Sequence, residues 1–572
     1  MKFFGAYTYL SIVRFLYGLS VKELYFKGKG FVMDLSIIIG GKAGAGIKEA
    51  GRMLAKVLTK MGYHVFVYVD YPSLIRGGHN FVTIRFSEEK ISSVKKKADI
   101  IVATDGRSIK AHKYDAKDST VWIINEKERF DGAIRAPFKE VAPGFFKSSS
   151  ILGVLLRILG IPLDEGLPLI MSLPQKEKNE SIYREAYKSV REIFKVKKIK
   201  EKVGDVITGN EAIALGAVDG GLDVYIAYPM TPASPVLHYL AKHKSDFGIK
   251  VVQPENEIAV INMALGVSYA GKRSMVGTSG GGFALMTEAL SLSGMAEIPL
   301  VIYEAQRAGP STGVPTYTAQ SDLLFSLFAG HGDFPRVVFA PGDPQEAYLL
   351  ARVSLNIAWK FQVPVILLGD KHVGESLYTV RLERNREVEE PKLWDGKGEY
   401  GRYRFSEDGV SPLAFPGEEG VVVKVSSYEH DERGITVEDA LSVKKMQEKR
   451  LKKGKFIKKH LLNSNYTVSI SGEKNPEKVI LTWGSNKGVV EDIAGKLGFK
   501  VIRPLLLEPF PSERIKRELE GAKLILSIEC SSSGQFVKLL NMNGIYPTDC
   551  IKKYDGRPFF SDELEEILGE YV

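Results

Sequence analysis

The chain has 572 residues, too many for one hydrophobic core, so three or four domains are expected. Hydrophobic residues make up 44% and charged residues 26%, a globular balance that excludes wholesale disorder. The net charge of +9 is a small surplus of 78 basic over 69 acidic side chains, with no nucleic-acid motif beside it. Such a surface suits an ion-pair-rich, heat-adapted protein rather than a nucleic-acid binder. Two cysteines, Cys530 and Cys550, exclude a disulfide scaffold and cannot ligate a four-cysteine cluster. The chain is therefore read as cytoplasmic and as holding no iron–sulfur cluster of its own.

Residues 1–32 are apolar and aromatic but are broken by Arg14. They fall short of the roughly 20 apolar residues of a membrane span and lack a small-residue cleavage site. They are read as an over-extended start, with Met33 opening the structured chain. A strand is expected over residues 35–39, then the loop Gly40-Gly41-Lys42-Ala43-Gly44-Ala45-Gly46, an amphipathic helix over 47–61 and a strand over 65–69. This βαβ pattern implies a parallel sheet. The glycine spacing fits neither a dinucleotide fingerprint nor a Walker loop. Amides at a helix N-terminus can still hold a phosphate, and Lys42 and Arg76 could add charge for one. A tight turn and a surface lysine are the bland alternative. The basic stretch 195–202 is read as a solvated linker.

A second α/β pattern follows. It has a helix over 211–220, a strand over 224–227, the turn Tyr228-Pro229-Met230-Thr231-Pro232-Ala233-Ser234, a helix over 235–244 and a strand near 250–252. Beyond the helix around Glu257 come a strand over 274–278, the loop Ser279-Gly280-Gly281-Gly282, a helix, and a strand over 300–304 leading to Gln306-Arg307. Motifs recurring at the C-terminal ends of strands mark where an open parallel sheet places ligands. Glu257 lies among Ile258, Ala259, Ile261, Met263 and Leu265, an expensive place for a lone carboxylate. Glu255, two residues away on the same helix, is expected to point to another side. Residues 386–470 are charged and irregular apart from a helix over 444–453. His430 among scattered acids is a poor metal-ligand set. A third α/β unit runs from Lys478 to the C-terminus.

The turn at 228–234, Glu257 and the loop Gln306-Arg307-Ala308-Gly309-Pro310-Ser311-Thr312-Gly313 together resemble the pyrimidine-binding half of a thiamine diphosphate enzyme, the alpha subunit of the 2-oxoacid:ferredoxin oxidoreductases. Residues 33–195 resemble the gamma subunit of that family, and the third unit its transketolase-type C-terminal domain. The resemblance implies a multidomain α/β fold. Its parts are an extension (1–32), a gamma-type domain (33–195), a pyrimidine-binding domain (205–385), a charged linker or interface segment (386–470) and a transketolase C-terminal-like domain (474–572).

It also implies roles. Glu257 keeps the cofactor's pyrimidine nitrogen protonated, Arg307 grips the 2-oxoacid carboxylate, and Thr231 aims a hydroxyl at the substrate. Tyr228 and Pro229 belong to the cofactor site, and Gly44, Gly46 and Arg76 to a coenzyme A site. Met230 and Ala233 depart from the family's usual Ile and Ser, and the lost hydroxyl leaves substrate preference open. No Gly-Asp-Gly occurs, so a beta subunit is implied to supply the diphosphate and Mg²⁺ site and a [4Fe–4S] cluster. The implied reaction is coenzyme A-dependent oxidative decarboxylation of 2-oxoglutarate, or of a broad range of 2-oxoacids, with ferredoxin as electron acceptor. A non-catalytic assembly or regulatory subunit and a ferredoxin-independent thiamine transferase remain as alternatives. No nucleic-acid or membrane partner is expected.

Overall fold

Apolar, β-rich runs in three parts of the chain gather into three sheets of eight, seven and five strands. The computed structural model describes residues 32–72, 78–139, 144–200, 202–474 and 477–572. Arg76 and all but the last residue of the 1–32 extension lie outside them.

In the first sheet, Asp34–Lys42 pairs in parallel with Ala98–Ala103 and antiparallel with His79–Ser87. The strand His64–Asp70 lies one place further out, antiparallel to His79–Ser87. The expected parallel sheet is thus a mixed one. Helix Ile47–Lys60 does connect two strands that run the same way, but the chain folds back after Asp70 and inserts a third strand between them. Composition and periodicity mark strands without stating their direction. Two more strands, Leu377–Val380 and Asp205–Thr208, extend this sheet from the margins of the second unit. The stretch expected as a solvated linker is pinned down. Val196 is buried and donates its N–H to the Leu159 carbonyl at 2.9 Å, and the Tyr63 hydroxyl donates to the Lys197 carbonyl at 2.9 Å.

The middle sheet runs Leu506–Glu508, Val337–Phe339, Pro364–Asp370, Leu300–Gln306, Ser274–Thr278, Val224–Ile226, Lys250–Val252. Its ladders are parallel except at the edge strand Leu506–Glu508, lent by the third unit. Apolar clusters cover both faces, which is why its central strands read as near-continuous hydrophobic runs. Helices Glu257–Tyr269 and Gly280–Ala296 pack on one face, Gly209–Asp219 and Pro344–Phe361 on the other. The third sheet has four parallel strands and the antiparallel edge Val468–Gly472.

Ion pairs lock these units together. Arg85 holds the Asp34 carboxylate with Nε and Nη2, both at 2.9 Å, and reaches Asp492 of the third unit at 3.1 Å. Burial works against ionisation of Asp34, but Arg85 and Lys95 hold its carboxyl down at about 2. The charged segment after residue 385 ends in a 23-residue helix, Ala440–Leu462, longer than expected and capped by the Asp439 carboxylate on Ser442 N–H at 2.9 Å. Its buried stripe, Met446, Lys449, Arg450, Lys453, Ile457 and Leu461, has helical spacing but carries three cations. Glu297 receives Lys449 Nζ at 2.7 Å and also Lys453 Nζ, while Arg450 Nη1 reaches Glu429 at 3.0 Å. Burial opposes the Glu297 charge, yet the two ammonium groups hold its carboxyl well below the usual range. His430 packs its ring 3.8 Å from that of Tyr403 and donates from Nδ1 to the Tyr428 carbonyl at 2.9 Å. Among the described residues no cluster of three His, Cys, Asp or Glu could hold a metal ion.

Replacing Glu297 by Ala would leave two buried ammonium groups without a counter-charge. The expected loss is about 3–5 kcal/mol, read as a clear fall in the melting temperature. An unchanged melting temperature would mean that this network does not dock the helix.

Candidate functional site

The ends of three middle-sheet strands and one helix start converge on Glu257. Helix Glu257–Tyr269 begins at that residue because the Asn256 side chain accepts from Ala259 N–H at 2.9 Å, a standard N-cap. The helix N-terminus favours an acid in its first turn. Glu257 is buried, and its Oε1 has no hydrogen-bond partner among the described residues. Glu255 precedes the helix and is exposed, so the two glutamates diverge as expected, although Glu255 is not on the helix.

What lets this carboxylate in is the glycine loop after strand Ser274–Thr278. A Cβ on Gly282 would lie 2.6 Å from Glu257 Oε1 and 2.1 Å from Thr278 Oγ1. Any side chain there would displace the acid. Gly281 faces open space. The Ser279 hydroxyl is also buried without a partner among the described residues. The loop therefore has a polar wall with unused hydrogen-bonding capacity, the signature of a site that a ligand completes.

From Thr278 the wall continues to the 228–234 turn. Thr278 Oγ1 lies 4.0 Å from the Met230 thioether, and the next carbonyl, that of Thr231, accepts from Arg307 Nη1 at 2.8 Å. Arg307 follows strand Leu300–Gln306, and its Nε is buried without a partner among the described residues. Burial draws the guanidinium below its ordinary basicity, against the pull of Asp322. The structure thus joins Glu257, Thr231 and Arg307 through Thr278 and Met230. Tyr228 and Pro229 sit at the exposed outer rim of the same turn.

A second concave feature lies on the first unit. Gly46 starts helix Ile47–Lys60 with φ 75°, in the left-handed region that glycine tolerates. A Cβ on it would lie 2.2 Å from the carbonyl of Gly144, the residue that caps helix Phe145–Ile158. Two helix N-termini therefore meet at this loop. A Cβ on Gly44 (φ 79°) would meet nothing among the described residues. The adjoining cleft of about 300 Å³ is lined by Lys42, Gly44, Lys48, Arg52 and Asn80 among others. Arg52 is paired with Glu211 at 2.9 Å. The first unit is tied to the loop that follows Arg307 through Thr316, whose hydroxyl donates to the Tyr71 carbonyl at 2.5 Å.

Sequence reasoning missed the part played by Thr278 and Gly282, and it missed two further acids, Glu304 and Asp322. Glu304 is fully buried in an otherwise apolar strand, the same signal that singled out Glu257. Burial and then the Asp322 charge push its carboxyl well above the usual range.

Comparison with known proteins identifies the family of the chain. Residues 215–450 match the family described as pyruvate flavodoxin/ferredoxin oxidoreductase, thiamine diphosphate-binding, and residues 36–222 match pyruvate ferredoxin/flavodoxin oxidoreductase. A 2-oxoacid:ferredoxin oxidoreductase subunit alpha from Sulfolobus sp is 33% identical over 94% of this chain and 97% of its own. A 2-oxoglutarate synthase subunit KorA from Archaeoglobus fulgidus is 32% identical over 58% of this chain and 90% of its own. Among solved structures, a 2-oxoglutarate:ferredoxin oxidoreductase from Magnetococcus marinus, with 2-oxoglutarate, coenzyme A and succinyl-CoA bound, superposes with a TM-score of 0.86. It is 30% identical and covers 94% of this chain and 99% of its own. With its gamma-type unit first and its thiamine diphosphate-binding unit next, the chain belongs to the family of 2-oxoacid:ferredoxin oxidoreductase alpha subunits.

Proposed function

We propose that this chain is the fused gamma–alpha subunit of an enzyme that oxidatively decarboxylates a 2-oxoacid, 2-oxoglutarate or a broad range, to acyl-coenzyme A and CO₂, with ferredoxin taking the electrons. The observation that carries the reading is the buried Glu257 oxygen without a partner, set against Gly282 in a segment that matches a thiamine diphosphate-binding family. When bound, that cofactor supplies the carbon nucleophile that attacks the substrate carbonyl.

The chain's residues do the rest of the work on this side. Glu257 Oε1 accepts a hydrogen bond from the protonated pyrimidine nitrogen, a bond strengthened by exclusion from water. The free Nε of Arg307 and its remaining donors take the substrate carboxylate while its Nη1 stays on the Thr231 carbonyl. That bond also places Thr231, whose hydroxyl is aimed at the substrate oxygens, with Tyr228 and Pro229 closing the rim of the cofactor site. Gly44, Gly46 and Lys42 hold the phosphates of coenzyme A at the meeting helix N-termini, and Arg76, which the sequence offers for the same phosphates, lies outside the described residues.

A beta subunit supplies the diphosphate and Mg²⁺ site and the [4Fe–4S] cluster. Exposed Ile258, Met263 and Leu285, on the two helices that begin at Glu257 and Gly280, form an apolar face suited to it. The domain division proposed is 33–195, 205–385, a linking segment 386–470 and 474–572. A reducing, cytoplasmic setting suits the two free thiols, Cys530 and Cys550, and the partner's cluster.

Co-expression with the beta partner and coenzyme A-dependent reduction of a viologen dye test the reading. Glu257→Gln should lower kcat by about 10²-fold or more. Gly282→Ala should do the same by displacing the glutamate. Arg307→Ala should raise KM for the 2-oxoacid by roughly ten- to a hundredfold, the worth of one charged hydrogen bond. Activity indifferent to all three would place the site elsewhere. For the first-unit cleft, Lys42→Glu should raise KM for coenzyme A several-fold and leave KM for the 2-oxoacid unchanged. A rise in both would remove the cleft's assignment to coenzyme A.

A further inference from the structure

The chain that leaves Arg307 runs out to an exposed tip and returns along an arm held by units other than its own. Residues 311–314 are exposed, whereas Thr316, Thr318 and Gln320 on the returning arm are buried. The two arms bond to each other beside Arg307. Val314 N–H donates to the Ala308 carbonyl at 2.7 Å, and Ala308 N–H donates to the Tyr317 carbonyl at 3.1 Å. The backbone next to Arg307 is therefore set by where Tyr317 sits.

Tyr317 is placed by the third unit. The loop after strand Asp549–Lys552 lays the Arg557 guanidinium over the Tyr317 ring, 4.8 Å from its centre. Gly556, just before it, takes φ 82°, in the region that favours glycine. Its carbonyl accepts from Thr318 N–H at 2.9 Å, and a Cβ on it would lie only 3.2 Å from the Tyr317 Cβ. A larger residue there would press on the tyrosine.

On its other side Arg557 faces the first unit. Its Nε lies 3.5 Å from Asp70 Oδ2, at the end of strand His64–Asp70. Asp70 is buried and also accepts from the Tyr68 hydroxyl at 3.2 Å. One side chain thus joins all three units at the base of the loop that carries Arg307. Further along the arm the anchors are neutral. Gln320 Oε1 accepts from Cys530 N–H at 2.9 Å and from Asn486 Nδ2 at 2.8 Å, and its Nε2 donates to the Trp483 carbonyl at 3.0 Å. Those buried bonds hold the arm whether or not Arg557 is present. Arg557 itself is half-exposed, and a stack or ion pair so exposed adds little to the stability of the whole fold. Its effect is local to Tyr317.

We propose that Arg557 is a positioning residue for 2-oxoacid binding: stacked on Tyr317, it fixes, through the Tyr317 carbonyl and Ala308 N–H, the backbone from which Arg307 reaches the substrate carboxylate. This rests on the proposed role of Arg307. A planar guanidinium grips a carboxylate at two points only within a narrow range of positions, so a small shift of its backbone weakens the grip without abolishing it.

A double-mutant cycle in the assembled complex tests this, with kcat and both KM values read by dye reduction. Arg557→Ala should raise KM for the 2-oxoacid about three- to tenfold, keep kcat within about twofold and leave KM for coenzyme A unchanged. Tyr317→Leu removes the ring but keeps the Arg557–Asp70 pair. It should raise the same KM, and the two changes together should add nothing further. In an Arg307→Ala background, Arg557→Ala should cause no additional rise, because the residue through which it acts is gone. An unchanged KM in Arg557→Ala, or the same proportional rise with and without Arg307, overturns the inference. A parallel rise in KM for coenzyme A also overturns it, since that marks a general loosening between units. If Arg307→Ala leaves KM unchanged, the reading of Arg307 fails and takes the inference with it; if it raises KM while Arg557→Ala does not, the inference fails alone. Should Arg557→Ala not assemble, Tyr317→Leu runs the same cycle against Arg307→Ala.

Discussion

A carboxylate that folding removes from water without giving it a partner is the constraint on which the rest of this molecule depends. Glu257 pays a desolvation penalty that ordinary folding would avoid by pairing or exposure. The fold sustains it by local means: an N-cap at Asn256, a helix terminus that favours negative charge, and a glycine loop that has no side chain to expel the acid. The glycine loop and the unused oxygen are concessions in stability terms, since both weaken the folded state, and the N-cap and the helix terminus offset part of that loss. Together they leave one hydrogen-bonding position vacant at the edge of a parallel sheet.

Elsewhere the protein treats buried charge in the opposite way. Glu297 meets two ammonium groups, and Arg85 joins acids from two different units. These pairs fasten the third unit against the first sheet and the long helix against the middle unit, so that the units keep their relative positions. Rigid support of this kind is what a site assembled from several strand ends requires. The contrast between satisfied acids in the frame and the unsatisfied acid at the strand ends distinguishes scaffold from site.

Much of this was legible in the chain before folding. The strands at Val224–Ile226, Ser274–Thr278 and Leu300–Gln306 stand out because sheets covered on both faces need unbroken apolar runs. Glu257 stood out because it breaks such a run. Strand direction was not legible: nothing in the residues of His79–Ser87 says that they slip between Asp34–Lys42 and His64–Asp70. Nor were pairings that span the chain. Glu297 meets Lys449, 152 residues later, and Asp322 meets Gly280 from a loop whose own composition is unremarkable for an acid. Such contacts are set by tertiary packing, and local pattern carries no record of them.

The eight-stranded first sheet has a consequence for how the lobes move. Its outer members, Leu377–Val380 and Asp205–Thr208, come from either end of the middle unit, so the two units share a continuous ladder of main-chain hydrogen bonds. The peptide crossing near residue 200 is then redundant as a mechanical joint. Hinge rotation about that crossing would have to tear a sheet apart, so the first lobe is fixed against the middle unit.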